Sequence, residues 1–270
     1  MHLGCGKLAT PSLDEAGLAR YRAASAILAL KNMQTASSTL QAYFQTLSRA
    51  LGPMAWWPAR TPFEVIVGAI LTQNTAWTNV ERAIENLRGE QLLTPSAIER
   101  VSQARLARLI RPSGYFRQKA KKLKAFVQFL RERHGGSLTR MFRAPTADLR
   151  EQLLGVHGVG PETADSILLY AGGHPVFVVD AYTHRVLGRH SVTNGKPDYA
   201  AVRSLFETNL PRDAALYNEF HALIVNVGKN WCRKNWPRCG ECPLLGHLPE
   251  DSPLRPARGG FSSSIQDSHA

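Results

Sequence analysis

The feature that most limits how this chain can fold is a helical apolar rhythm running from about residue 36 to 250. Val80, Ala83, Ile84 and Leu87 form one stripe; Ala120, Leu123, Val127 and Leu130 form a second; Leu216, Phe220, Leu223 and Val227 form a third. Apolar positions three and four apart share a face only on an α-helix, and alternating segments suited to sheets are few. Glycine and proline break the rhythm at "PSG" (112–114), "HGGS" (134–137), "GGHP" (172–175) and "TNGKP" (193–197), where helices are expected to end. The stripes read as core, and the chain reads as all-α.

At 270 residues the chain has room for one large or two modest domains with a core that needs no staples. The 33 Lys and Arg outnumber the 21 Asp and Glu, leaving a formal charge of +12. Such an excess predicts salt-sensitive attraction to a polyanion. No apolar run approaches the ~18 residues of a membrane span, and residues 63–71 are the best attempt. The first residues lack the charged start and sustained apolar stretch of a secretory signal, so a cytoplasmic, nucleoid-associated location is expected. Residues 1–35 read as a poorly defined N-terminal extension holding an incidental Cys5. Residues 251–270, rich in Gly, Ser and Pro, are expected to be disordered.

Three glycines crowd the start of "LLGVHGVGPETADSILLYAGGHPVFVVDAY" (153–182), and one acid, Asp180, stands near its end. "LLGVHGVGPETADSIL" predicts a helix, a tight turn through Gly155, Gly158 and Gly160, and a second helix opening on Pro161, which suits a first helical position. Glycines let backbone amides approach an anion, and a helix start adds its positive dipole end, so this element can grip a phosphate without reading base sequence. A plain helix-turn-helix corner has the same pattern. Asp180, after the apolar residues 176–179, reads equally as the N-cap of a following helix.

The succession "VHGVGPETADSIL", "GGHP" and "VFVVDAYTHRV" resembles the endonuclease III superfamily of DNA glycosylases, in which a helix-hairpin-helix is followed by a Gly/Pro-rich loop and a catalytic aspartate. The resemblance runs from "PFEVIVGAILTQNT" at 62–75 to "CRKNWPRCGECPL" at 232–244. It implies two helical lobes with a DNA cleft between them. One lobe, residues 61–172, contains six helices and the hairpin; the other is discontinuous, residues 36–60 with 173–250. It implies double-stranded DNA carrying a damaged base as partner, and a monomer.

The resemblance makes Asp180 the catalytic acid. Cutting an N-glycosidic bond builds positive charge on the sugar, which a nearby carboxylate stabilises while orienting or deprotonating water. Bifunctional members carry a lysine two residues after the last hairpin glycine. Glu162 stands there, and a carboxylate forms no imine, so a monofunctional enzyme is expected. Gly155, Gly158, Gly160, Thr163 and Arg185 are the implied DNA contacts. Gln73 and Asn74, in a polar break between helices, are the candidates to fill the stack vacated by a flipped base, with Gln73 preferred. "WWP" with "TQNT" and a following aromatic looks like the 3-methyladenine branch, where Trp56, Trp57 and Trp77 would sandwich the base. A cationic alkylated purine is drawn to π-faces and leaves readily; tryptophans also simply fill cores. The alternatives are a glycosylase with abasic-site lyase activity on oxidised pyrimidines, and a damage-binding protein without catalysis.

Family members commonly end in four cysteines around a [4Fe-4S] cluster. Cys232, Cys239 and Cys242 match the first three, and Leu248 occupies the fourth position. His247 is the candidate to complete a cluster or a Cys3His zinc site; a metal-free remnant is the other reading. The basic run at 117–124 reads as the solvated side of an amphipathic helix. His157, His184 and His221 show no ligand spacing and receive no chemistry.

Overall fold

The computed structural model describes residues 35–255 except residue 196; Cys5, Lys196, the extension to residue 34 and the tail from 256 lie outside the described residues. Helix α1 covers residues 35–51. It is followed by α2 (Pro62–Leu71), α3 (Trp77–Gly89), α4 (Pro95–Arg100), α5 (Gln103–Leu109), α6 (Phe116–His134), α7 (Leu138–Met141), α8 (Thr146–Leu154) and α9 (Pro161–Ser166). The last continues through a π-helical turn, Ile167–Ala171; α10 (Ala181–Arg189), α11 (Tyr199–Asn209) and α12 (Ala214–Asn230) follow. No strand occurs among the described residues, and none of the helices is long and apolar enough to cross a membrane.

Local chemistry sets the starts. Thr61, Thr94, Ser102, Ser137, Asp198 and Asp213 each accept a backbone N–H in the first turn of the helix they precede, and Pro62, Pro95 and Pro161 open α2, α4 and α9. At the other end of α6, Gly135 takes the left-handed conformation (φ +58°) that closes the helix at "HGGS".

The apolar stripes converge on two cores. One gathers Ile66, Val80, Leu87, Leu123, Leu130 and Ile167; the other gathers Leu40, Leu47, Phe177, Phe206, Phe220 and Leu223. The π turn lies between them. Its extra residue sends Leu168 into the first core and Leu169 into the second, and such turns recur at functional sites. The seam is also ionic. Asp165, fully buried, accepts from Arg150 Nε (2.7 Å) and Nη2 (3.1 Å) and from the Tyr199 hydroxyl (2.8 Å), with Arg203 Nη1 at 3.6 Å.

The basic run does not simply face water. Lys119 is 1 % exposed, and its Nζ donates to Leu71 O (2.8 Å) and Ser113 O (2.6 Å). It caps the carbonyl end of α2, where a cation is favoured, and ties the loop after α2 to the loop before α6. Lys124 Nζ donates to Glu99 O and Val101 O, and Lys122 Nζ to Gln73 Oε1. Amphipathic spacing does not show that these chains fold back over neighbouring turns.

Candidate active site

Between the cores lies a cleft of about 1120 Å³, walled by Trp56, Trp57 and Trp77, the loop 72–76, the hairpin, Asp180 and the end of α12. The hairpin forms as its glycines require. Gly158 takes φ +80°, and a Cβ there would lie 2.4 Å from the Lys122 side chain, so the turn and the packing both demand glycine. Hydrogen bonds differ along it. The Gly155 N–H is spent on Glu151 O and Gln152 O within the end of α8, so the expectation that it contacts DNA is corrected: its amide has no free proton. Thr163 is largely buried at the edge of the cleft, its hydroxyl accepting from Gln73 Nε2 at 2.8 Å.

Gln73 is clamped rather than free. Its amide donates to Gly158 O (3.1 Å) and Thr163 and accepts from Lys122. Asn74, beside it in that loop, is exposed and in the left-handed region at φ +54°. Arg185, expected at the DNA, is a strut. Its Nε donates to Cys232 O (2.6 Å), its Nη2 to Gly228 O (3.1 Å), and its guanidinium lies 4.9 Å from the Tyr182 ring. A basic residue beside a cleft suggested phosphate binding, but unpaired carbonyls at the end of α12 claim the donors first.

The three tryptophans meet. Ring centroids lie 5.5 Å apart for Trp56 and Trp57, 5.1 Å for Trp57 and Trp77, and 6.4 Å for Trp56 and Trp77. Trp57 lies against Gly68, where a Cβ would come within 3.2 Å of its ring. Tyr170, delivered by the π turn, adds a fourth ring 5.1 Å from Trp57. The Lys229 ammonium lies 5.3 Å from the Trp56 centroid, along the same cleft.

Asp180 stands where the apolar segment ends: Val178 and Val179 are each 1 % exposed, and the Asp180 side chain is 14 % exposed and lines the cleft. It is also an N-cap, Oδ1 accepting from Thr183 N–H at 2.8 Å in a reciprocal capping box. The cap engages Oδ1 and leaves Oδ2 outside it. Two residues assigned no role from the sequence stand in line behind the other oxygen: buried His221, with Nε2 3.7 Å from Asp180 Oδ2, and Tyr170, whose hydroxyl is 2.5 Å from His221 Nδ1. Glu162 lines the same cleft, and burial together with the nearby Asp180 charge pushes its pKa up to about 7.

Cys232, Cys239 and Cys242 are free thiols lining a small apolar cavity closed by Leu245 and Leu248. Burial pushes the Cys239 and Cys242 thiols up, and neighbouring cysteines add to this. His247 turns elsewhere. Its Nε2 pairs with the Thr46 hydroxyl at 2.9 Å and its ring packs on Tyr43, so the expectation that it completes a metal site is corrected; packing against α1 holds it. Among the described residues no three His, Cys, Asp or Glu side chains stand close enough to share one metal ion. A zinc ion does not fit this donor set, and the cavity offers three of the four thiolates an ordinary [4Fe-4S] cluster takes, with a leucine at the fourth corner.

Residues 67–212 match the model of the HhH-GPD superfamily base excision DNA repair proteins. A Methanocaldococcus jannaschii protein provisionally named a DNA repair glycosylase is 50 % identical over 195 residues, covering 72 % of this chain and 88 % of that one. Endonuclease III of Thermotoga maritima is 31 % identical over 186 residues, 69 % and 82 % of the two chains. Among solved structures, the Helicobacter pylori 3-methyladenine DNA glycosylase bound to 1,N6-ethenoadenine superposes with a TM-score of 0.62 at 30 % identity, covering 72 % of this chain and 97 % of that one. An endonuclease III–DNA complex shares the fold at a TM-score of 0.69 and 22 % identity, covering 80 % and 96 %.

Proposed function

Because this chain belongs to the HhH-GPD superfamily of base excision DNA repair proteins, we propose that it is a monofunctional DNA glycosylase hydrolysing the N-glycosidic bond of an alkylated purine, with Asp180 as the catalytic carboxylate. The observation that carries this reading is the meeting in one cleft of Asp180 with the Trp56, Trp57 and Trp77 rings. A flipped base entering the aromatic cage brings its deoxyribose to the carboxylate side. As the base leaves, the fixed carboxylate stabilises the positive charge growing on the sugar and takes up a proton from the attacking water. Ring faces attract a cationic purine and are indifferent to its edge hydrogen bonds. The 3-methyladenine enzyme of H. pylori, a structural relative, supports the same lesion class.

The strand would be held by the hairpin amides of Gly158 and Gly160, with Lys122, Lys229, Arg233 and Lys234 along the cleft as phosphate partners. Gln73 would enter the stack by leaving its clamp, beside Asn74 at the loop tip. The reading is of a monomer acting on double-stranded DNA in the nucleoid. Where the cysteine cavity holds a cluster, Cys232, Cys239 and Cys242 would bind it and its part would be structural.

The lyase reading on oxidised pyrimidines retains one supporting observation: the Lys229 amine faces the same cleft. Duplexes bearing 3-methyladenine, uracil or thymine glycol, incubated with the protein and then cleaved by hot alkali, report the lesion excised. Borohydride trapping on abasic DNA reports the lyase. Release of 3-methyladenine without a trapped adduct is expected; a trapped adduct overturns the monofunctional reading.

A further inference from the structure

The two oxygens of Asp180 have different surroundings. Oδ1 is committed to the cap, accepting from the Thr183 N–H and, at 3.0 Å, from its hydroxyl. Oδ2 faces His221 Nε2 at 3.7 Å, and that nitrogen is buried with no hydrogen bond. Across the ring, Nδ1 lies 2.5 Å from the Tyr170 hydroxyl. A carboxylate only accepts, so the ring nitrogen facing it carries the proton; a neutral imidazole has one, so Nδ1 accepts and Tyr170 donates. Burial pushes the His221 pKa down against the pull of Asp180, which keeps the ring neutral. Tyr170 reaches the aromatic cage: its ring packs on Trp57 at 5.1 Å between centroids.

We propose that His221 is a positioning residue: Tyr170 fixes its tautomer so that Nε2–H is offered to Asp180 Oδ2, orienting the carboxylate and linking it to the aromatic base pocket. This rests on the reading of Asp180 as the catalytic carboxylate. At 3.7 Å the contact is longer than a hydrogen bond, and a movement of under about 1 Å on DNA binding closes it. The ionisable groups facing His221 are Asp180 at the start of α10 and Tyr170 on the π turn; Glu162 at the start of α9, Tyr199 on α11 and, on its own helix, Lys229 line the same cleft. Tyr170→Phe releases the tautomer, so that a ring lone pair faces the carboxylate for part of the time. His221→Gln keeps an N–H donor, and His221→Leu removes it.

The test is single-turnover base release from about pH 5 to about pH 9 for the wild type, Tyr170→Phe, His221→Gln, His221→Leu and Asp180→Asn, with affinity for an abasic-site duplex measured alongside. In Tyr170→Phe the acidic limb is expected to move by about one pH unit, a roughly tenfold loss of rate on that limb, with duplex affinity unchanged. His221→Gln is expected to keep more activity than His221→Leu. Wild-type pH profiles in Tyr170→Phe and His221→Leu, or losses equal at every pH that track duplex affinity, overturn the proposal. If His221→Leu fails to fold, Tyr170→Phe decides alone, because it removes a single oxygen. Base release by Asp180→Asn overturns the reading beneath; a dead Asp180→Asn with unchanged profiles elsewhere overturns only the role of His221.

Discussion

The Tyr199 hydroxyl donates to Asp165 Oδ2 at 2.8 Å across the seam between the two cores. Arg150 completes the buried carboxylate from the hairpin side, and Arg203 adds a longer contact. This cluster fixes the hairpin helix α9 against α11, and so the distance between the hairpin and Asp180. Asp165→Ala leaves two guanidinium groups, each about one-fifth exposed, without their carboxylate. The expected cost is about 3 kcal/mol, the lower end for a broken buried pair because the arginines keep some water. Urea unfolding of the two proteins measures it, and a loss below about 1 kcal/mol, the range of exposed pairs, contradicts a structural role for the cluster.

Glu162 lines the cleft beside Asp180, at the position where the resemblance would place the lysine of bifunctional members. Glu162→Lys is expected to create a borohydride-trappable adduct on abasic DNA that the wild type lacks. Gel analysis of the trapped complex decides it, and absence of an adduct in a variant that still binds abasic duplex indicates that this position does not reach the sugar. Glu162 also titrates near pH 7 in the folded protein. An inflection at that pH in the wild-type rate profile is therefore expected to vanish in Glu162→Gln.

The aromatic cage makes a sharper demand on ground-state chemistry. Trp57 contacts Trp56, Trp77 and Tyr170 at once, so Trp57→Ala opens the pocket at its centre. Stacking on one ring contributes about 1–3 kcal/mol, so kcat/KM for base release is expected to fall by about 10- to 100-fold. Affinity for an abasic-site duplex, which has no base to stack, is expected to stay unchanged. Equal losses in both measurements would mean that Trp57 supports the fold rather than the base.

How much of this was legible follows the range of the interactions. The apolar stripes are local, and their members Val80, Leu87, Leu123, Leu223 and Val227 are buried as their spacing predicts. The hairpin turn was legible through Gly158, because a left-handed residue pressed against a neighbouring helix has few alternatives to glycine. Tyr170 and His221 are 51 positions apart, on segments with no shared motif, and only the packing of α12 on the π turn joins them. The π turn itself has no composition signal. Arg185 and His247 were misread for a common reason: residue type announces a capacity, and the nearest unsatisfied partner, here a carbonyl of Gly228 and the hydroxyl of Thr46, decides its use.

Lys119 gives stability an unusual dependence on pH. Burial, with the Lys122 charge as a second cause, lowers its pKa from 10.5 to about 8 in the folded protein. Between those values the unfolded chain holds a proton that the folded chain has released. Stability rises with pH wherever the unfolded state binds more protons, so this amine makes folding more favourable from about pH 8 upward. The difference between the wild type and Lys119→Met reports on this amine. At neutral pH the variant leaves Leu71 O and Ser113 O without their donor, and a loss of about 1–3 kcal/mol is expected. The gap is then expected to widen between about pH 8 and pH 10 in urea titrations. A gap that narrows over that interval would show that the folded protein holds Lys119 charged, and that the bonds to the end of α2 outweigh its desolvation.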